Sequence, residues 1–483
     1  MSQYKWSLLT DFYELTMMQG YFENGKSQKA IFDVFYRRNP NNAAYAVCAG
    51  LEQVIEYVKN LKFSDEDIEY LRKTGVFKEP FLEYLRGFKF TGEIYAMPEG
   101  SVIFPMEPII KVKAPLIEAQ IMEAAILNIM NHQCLIASKA ERVVYAAGGG
   151  VMEFGLRRAQ GPDAGTYGAR AAIIAGAAGT SNVVAGQIFN IPVMGTHAHS
   201  WIMSFPTEKE AFTAYAKLYP GNCILLVDTY DTLKSGVKHA IEVFNEMKAE
   251  GWVPKVYGIR LDSGDLAYLT KKAREMLDAA GHTDAIICAS GDLDEYLIKS
   301  LKIQGACIDS WGVGTKLITS EGWSSFGGVY KLSAVQKEDG TYAPKIKVSE
   351  NVEKVTNPGD KVIFRIYDKE TGKIRAELIA LRGEKYDPNE DLIVFDPIST
   401  WKRTRIKGGT YIVRQMLETI FQGGECKYES PDVMAIQAYC KKELDTLWPE
   451  SRRFENPQNV YVDLSQPLWD LKNEMLHKVH TFE

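Results

Sequence analysis

The 483-residue chain contains no Cys-x-x-Cys pair; its seven cysteines, at 48, 134, 223, 288, 307, 426 and 440, are dispersed. A structural zinc site needs four clustered ligands, so an odd, scattered set reads as reduced, mostly buried thiols of a cytoplasmic protein. A long hydrophobic run is also missing. The most apolar stretch, Ala171 to Ala178, follows Arg170 and is broken by Gly176, far short of the ~20 apolar residues that cross a bilayer. The segment from Met1 to Asp11 has no continuous apolar core of the kind a secretory leader carries. Basic excess is absent too: 56 Lys+Arg face 62 Asp+Glu, for a formal net charge of −6. Neither nucleic acid nor an anionic membrane is therefore an expected partner. No Gly-x-Gly-x-x-Gly follows a first strand, and neither a Walker A loop nor a Gly-x-Ser-x-Gly elbow occurs. These absences set aside a dinucleotide fold, a conventional ATP site and a serine-hydrolase triad.

What is present is globular: 46% apolar, 11% aromatic and 24% charged residues. The length suits two or three domains, or one large barrel with additions. Residues 1–115 mix strands and helices, with a strand at Ala30–Tyr36 and helical periodicity over Leu51–Leu61 and Asp65–Leu71. Residues 116–145 read as a long helix or a helix pair. The middle of the chain has a βα rhythm. Apolar runs at Ile224–Val227, Lys255–Leu261, Ala285–Ala289 and Cys307–Trp311 alternate with helical patterns at Leu233–Met247, Leu266–Ala280 and Leu293–Leu301. Glu153–Gly155 and Val193–Thr196 extend this series. Such alternation predicts a parallel sheet covered by helices, here an irregular α/β barrel over residues 116–335. After Gly328 the texture becomes antiparallel, with a hairpin around Asp368–Lys373. Residues 336–404 are expected to return to the N-terminal strands, giving a second, discontinuous α/β domain, and residues 405–483 read as helical.

Each middle strand ends in a polar turn: Asp228–Asp231, Asp262–Asp265, Ser290–Asp292 and Gly312–Thr315. Barrel enzymes carry their chemistry on this rim. Ser290-Gly291 and Gly312-Val-Gly314-Thr315-Lys316 offer backbone N–H groups, hydroxyls and a cation, the components of phosphate cradles. Asp262 and Asp265 could hold Mg²⁺ through hard oxygens or accept ribose hydroxyls, or serve as helix caps. Arg260 lies just before that turn and could pair with a carboxylate or phosphate bidentately. Arg157-Arg158 is a second basic element. In a strand, His197 and His199 would share one face, which suits a metal-dependent barrel hydrolase. A single strand-end histidine beside phosphate turns suits phosphate capture or acid/base work instead.

Six segments go further in combination. Leu8–Tyr13, Glu153–Arg158, Gly195–Ser200, Arg260–Asp265, Gly312–Thr315 and Gly328–Leu332 closely resemble, in order, the motifs of the nicotinate phosphoribosyltransferase family. The resemblance implies an irregular α/β barrel of the type II phosphoribosyltransferase class. It also implies a reaction in which nicotinate and phosphoribosyl pyrophosphate give nicotinate mononucleotide and pyrophosphate, driven by ATP, as the first step of NAD synthesis from nicotinate. On that basis His199 is the histidine phosphorylated by ATP. Thr196 and Arg260 contact nicotinate, Tyr13 and Phe154 sandwich its ring, and Arg157 meets substrate anions. Ser290, Gly291, Gly312, Gly314 and Thr315 hold the phosphoribosyl phosphate, and Asp262 meets ribose or Mg²⁺. Tyr13 is expected to come from a second subunit, so the site implies a homodimer. Related nicotinamide-using enzymes carry an acidic residue where this chain has Ser181. A carboxylate there would repel that of nicotinate, so Ser181 points to the acid rather than the amide.

Overall fold

The computed structural model describes residues 6–351, 354–399 and 401–481, so residues 1–5 of the N-terminal segment lie outside them. By contacts the chain divides into two units.

The first to consider is Ile136–Ser324 together with Asp432–Gln437. Its six parallel strands are β1 (Val151–Glu153), β2 (Gly179–Thr180), β3 (Asn222–Leu226), β4 (Val256–Leu261), β5 (Ile286–Ser290) and β6 (Ser310–Val313). They lie in the order β2-β1-β6-β5-β4-β3. Among the described residues the sheet does not close on itself, so the irregular α/β barrel expected from the rhythm is a curled half-barrel. Four consecutive residues of β3, Cys223 to Leu226, are buried, which is what helices covering both faces of a parallel sheet require. The helix Val237–Ala249 turns Val237, Ala240, Val243, Phe244 and Met247 inward, a stripe at helical spacing. Local chemistry starts the helices. Asp265 accepts the Tyr268 N–H at 3.0 Å and Asp294 the Leu297 N–H at 2.7 Å, each satisfying an otherwise orphaned donor of the first turn. Asp265 is therefore the cap of the helix Leu266–Ala279. Val193–Thr196 is not a strand, since only Val193 bridges to Thr180.

The other unit comprises residues 1–135, 325–431 and 438–483. It contains an antiparallel sheet in which Lys29–Tyr36 lies between Gly328–Gln336 and Ile110–Pro115. A second, mixed sheet is built on the hairpin Lys361–Asp368/Ile374–Leu381. The boundaries differ from those read in the sequence. The first break falls at 135/136, within the helix Met122–Ala147, rather than at 115/116. The second falls at 324/325 rather than 335/336, because Gly328–Gln336 pairs with Lys29–Tyr36. The 361–381 hairpin does not pair with the N-terminal strands; Gly328–Gln336 and Glu418–Gln422 do so instead. Residues 405–483 are only partly helical (Val433–Asp445 and Gln466–Thr481). Strands form at Arg403–Ile406, Tyr411–Gln415, Glu418–Gln422 and Tyr461–Leu464, where branched and aromatic residues such as Ile406, Tyr411, Ile412, Val413 and Phe421 favour a pleated surface. Among the described residues no helix is long and apolar enough to cross a membrane, and all seven cysteines are free thiols.

Candidate functional site

The C-terminal ends of β1 and β3 to β6 carry the polar turns, and hydrogen bonds lock these turns to one another. Arg260, near the end of β4, donates to Thr196 Oγ1 at 2.6 Å and to the His197 carbonyl at 3.1 Å. Two fixed acceptors hold the guanidinium through its two Nη atoms, with Nε buried, which fixes the orientation of this cation at the strand end. The next turn is equally tied down. Asp228 Oδ2, beyond β3, accepts from Asp262 N at 2.8 Å and Ser263 Oγ at 2.7 Å. Ser290 Oγ, at the end of β5, donates to Asp262 Oδ1 at 2.5 Å. Asp228 Oδ1 is buried without a hydrogen-bond partner, so two hard carboxylates sit on adjacent turns with unused acceptor capacity. Gly291 has φ +92°, and a Cβ there would come within 2.3 Å of the Asp262 carbonyl oxygen. Only glycine lets these two turns approach so closely.

His199 and His197 divide their tasks. His199 begins the short helix His199–Met203, half-buried, with Nδ1 3.0 Å from Thr229 Oγ1. His197 is buried, accepts the Leu226 N–H at Nε2 (3.3 Å) and packs edge-on to Tyr215 with ring centroids 4.6 Å apart. Burial first, then the charges of Arg260 and His199, push the His197 imidazole down to about 4, so it is neutral near pH 7. The metal-pair arrangement of His197 with His199 fails, because the segment is not a strand and one ring is already used to hold β3. Among the described residues no group of three or more His, Cys, Asp or Glu side chains is gathered as for a metal ion.

A ring wall stands on the β1–β6 side. Phe154 N–H donates to the Val313 carbonyl at 2.8 Å, and the Phe154 ring lies over Gly312. A Cβ on Gly312 would fall 2.7 Å from Cδ2 and Cε2 of that ring. Below it, the buried Glu153 carboxylate accepts from the Gly155 N–H and, at 2.6 Å, from Thr180 Oγ1, while its carbonyl accepts the Ser181 N–H at 2.9 Å. One side chain thereby ties the Phe154 turn to the turn bearing Ser181. Gly314 and Thr315 follow β6. Lys316, read above as the cradle's cation, is engaged by Asp294 at 3.0 Å. Arg157 and Arg158 project, exposed, from the turn Leu156–Arg158. Tyr13 belongs to the other unit, on the helix Phe12–Glu23, and is 45% exposed.

Family models described as the nicotinate phosphoribosyltransferase N-terminal domain, family and C-terminal domain match residues 8–131, 150–366 and 360–472. The chain belongs to the nicotinate phosphoribosyltransferase family. It is 47% identical over 475 residues to the nicotinate phosphoribosyltransferase of Bacillus subtilis, covering 98% of this chain and 96% of that one. It is 39% identical over 460 residues to nicotinate phosphoribosyltransferase pncB2 of Mycobacterium tuberculosis, covering 95% and 91%. The crystal structure of human nicotinic acid phosphoribosyltransferase superposes with a TM-score of 0.84 at 28% identity, covering 97% of this chain and 100% of that one. Family membership and the separate duties of the two histidines remove support for the hydrolase alternative. Asp228, Thr229 and Glu153 were not among the candidates drawn from sequence. The Asp228–Asp231 turn was visible as polar, but its partners come from neighbouring turns.

Proposed function

We propose that the chain transfers the phosphoribosyl group of phosphoribosyl pyrophosphate to nicotinate, giving nicotinate mononucleotide and pyrophosphate in NAD biosynthesis. The observation carrying this reading is the interlocked rim itself: an oriented Arg260, the Asp228–Asp262–Ser290 turns and the Phe154 wall lie on one edge of the parallel sheet in a member of this family. The nicotinate ring would lie against Phe154, with its carboxylate toward Arg260 and Thr196, and Arg157 would add positive charge. Ser290, Gly291, Gly312, Gly314 and Thr315 would flank the phosphoribosyl group, with Asp262 toward the ribose.

The ring nitrogen of nicotinate carries a lone pair, so no strong general base is needed. That pair forms the bond to the anomeric carbon as the bond to the pyrophosphate oxygen breaks, through a state with oxocarbenium character. The protein's work is alignment and charge stabilisation. Mg²⁺ fits the donor set: Asp262 and the unsatisfied oxygen of Asp228 would hold it together with substrate oxygens, and it would offset charge on the departing pyrophosphate.

ATP coupling forms part of the proposal, with His199 as the phosphorylated residue. Thr229 on Nδ1 orients the ring. Ser181 favours nicotinate over nicotinamide because it places no carboxylate there to repel that of nicotinate. The exposed Phe12, Tyr13 and Met17 give the first helix an apolar face that a second copy would cover, supporting a homodimer in which Tyr13 closes its neighbour's site. Free thiols throughout support a cytoplasmic location. The decisive experiment measures pyrophosphate release with nicotinate and with nicotinamide, each with and without ATP. Faster release with nicotinate, raised further by ATP, is expected. Equal or faster release with nicotinamide would overturn the assignment of Ser181.

A further inference from the structure

In the unit formed by residues 1–135, 325–431 and 438–483, the mixed sheet carries an open pocket of about 320 Å³, within the size range of small-molecule sites. Asp463 lines it. This residue is only 5% exposed, and among the described residues its carboxylate has neither a hydrogen bond nor an ion pair, a costly condition for a mostly buried anion. Nearby Asp396 worsens the situation: burial, then the charge of Asp396, push the Asp463 carboxyl up to about 6. Tyr461 stands two residues earlier in the same strand, so its ring and the Asp463 carboxylate face the same side. Trp448 forms another wall, its indole N–H fixed on the Ile374 carbonyl at 2.8 Å, and Val394 and Ile406 add aliphatic surface.

We propose that this cavity binds a small planar organic cation of the pyridinium or guanidinium kind. A positive charge would meet the unpaired Asp463 carboxylate, and the flat face of the ligand would stack on Tyr461 and Trp448, where the ring quadrupoles also favour a cation. A bare divalent metal ion is a poor match. It favours several carboxylate oxygens, whereas among the described residues Asp463 is the one carboxylate of a mixed lining that also holds Arg375, Thr404, Ser451, Gln458 and Asn459. The site is separate from the rim described above and does not depend on the proposed reaction.

The test titrates N-methylpyridinium into the full-length protein saturated with nicotinate, followed calorimetrically, with uncharged benzyl alcohol as control. Saturable binding near ~1 mM is expected, a realistic strength for so small a ligand, with none for benzyl alcohol. Asp463→Asn should weaken binding at least tenfold while raising Tm, because it removes a charge buried beside Asp396. Tyr461→Ala, at a residue 59% exposed, should keep the fold and weaken binding several-fold. No saturation in the wild type, equal affinity in Asp463→Asn, or loss of binding caused by nicotinate would each overturn the proposal.

Discussion

Gly312→Ala tests whether Phe154 serves as the wall for the nicotinate ring. The new methyl group would lie 2.7 Å from two ring carbons of Phe154, whereas carbon atoms rest about 3.5–4.0 Å apart. The ring must retreat by about 1 Å, and a misplacement of that size costs on the order of 100-fold in rate, or about 2.7 kcal/mol. Overpacking should also destabilise the fold by about 1–3 kcal/mol, lowering Tm by about 2–4 °C per kcal/mol for a unit of this size. The assay is pyrophosphate release across nicotinate concentrations at saturating phosphoribosyl pyrophosphate, alongside thermal unfolding. The expected signature is a raised KM for nicotinate and a fall in kcat/KM approaching 100-fold. Adding Phe154→Leu should relieve the clash and restore Tm without restoring KM. A folded Gly312→Ala enzyme with unchanged kcat and KM for nicotinate would show that the Phe154 ring does not face the substrate.

Three further outcomes can be measured. His199→Ala should abolish ATP hydrolysis and ATP stimulation while slow ATP-independent pyrophosphate release persists; undiminished coupling would remove His199 from its role. Mixing Tyr13→Ala with His199→Ala should recover ATP-stimulated activity, which each variant lacks, after subunit exchange, because some mixed dimers would hold one intact site; no recovery would count against a shared site. Acid should weaken the fold through His197. An unfolded histidine titrates near 6.5 and this one near 4, so below pH 6.5 the unfolded chain gains a proton that the native state refuses. Stability is then lost as pH falls from about 6.5 toward 4, amounting to about 2 kcal/mol between pH 7 and pH 5. His197→Gln should flatten that part of the Tm–pH curve; an unchanged slope would refute the buried neutral imidazole.

The parallel sheet was legible because its strands are short apolar runs separated by amphipathic helices, a pattern set by burial on both faces. Asp265 could be read as a helix cap for the same local reason, since a cap needs only the next three residues. The two-residue strand Gly179–Thr180 offered no period to detect. Val193–Thr196 looked like a strand only by composition, and with its loss the two histidines no longer share a face. The C-terminal strands were hidden by exposed, charged edges such as Arg403–Arg405. Asp228, Thr229 and Glu153 owe their importance to partners 27 to 35 residues away. No inspection of a single turn could reveal such couplings.

Glu153 limits how this site could change over evolutionary or engineered time. Its carboxylate grips both the turn that carries the ring wall and the turn that carries Ser181. Under the roles proposed for Phe154 and Ser181, an exchange at position 153 would therefore disturb ring placement and the discrimination between acid and amide together, and could not be traded against either alone. Under the same proposal, variation in substrate choice is cheapest at position 181 itself, where a side chain can be altered while the shared anchor beneath it stays in place.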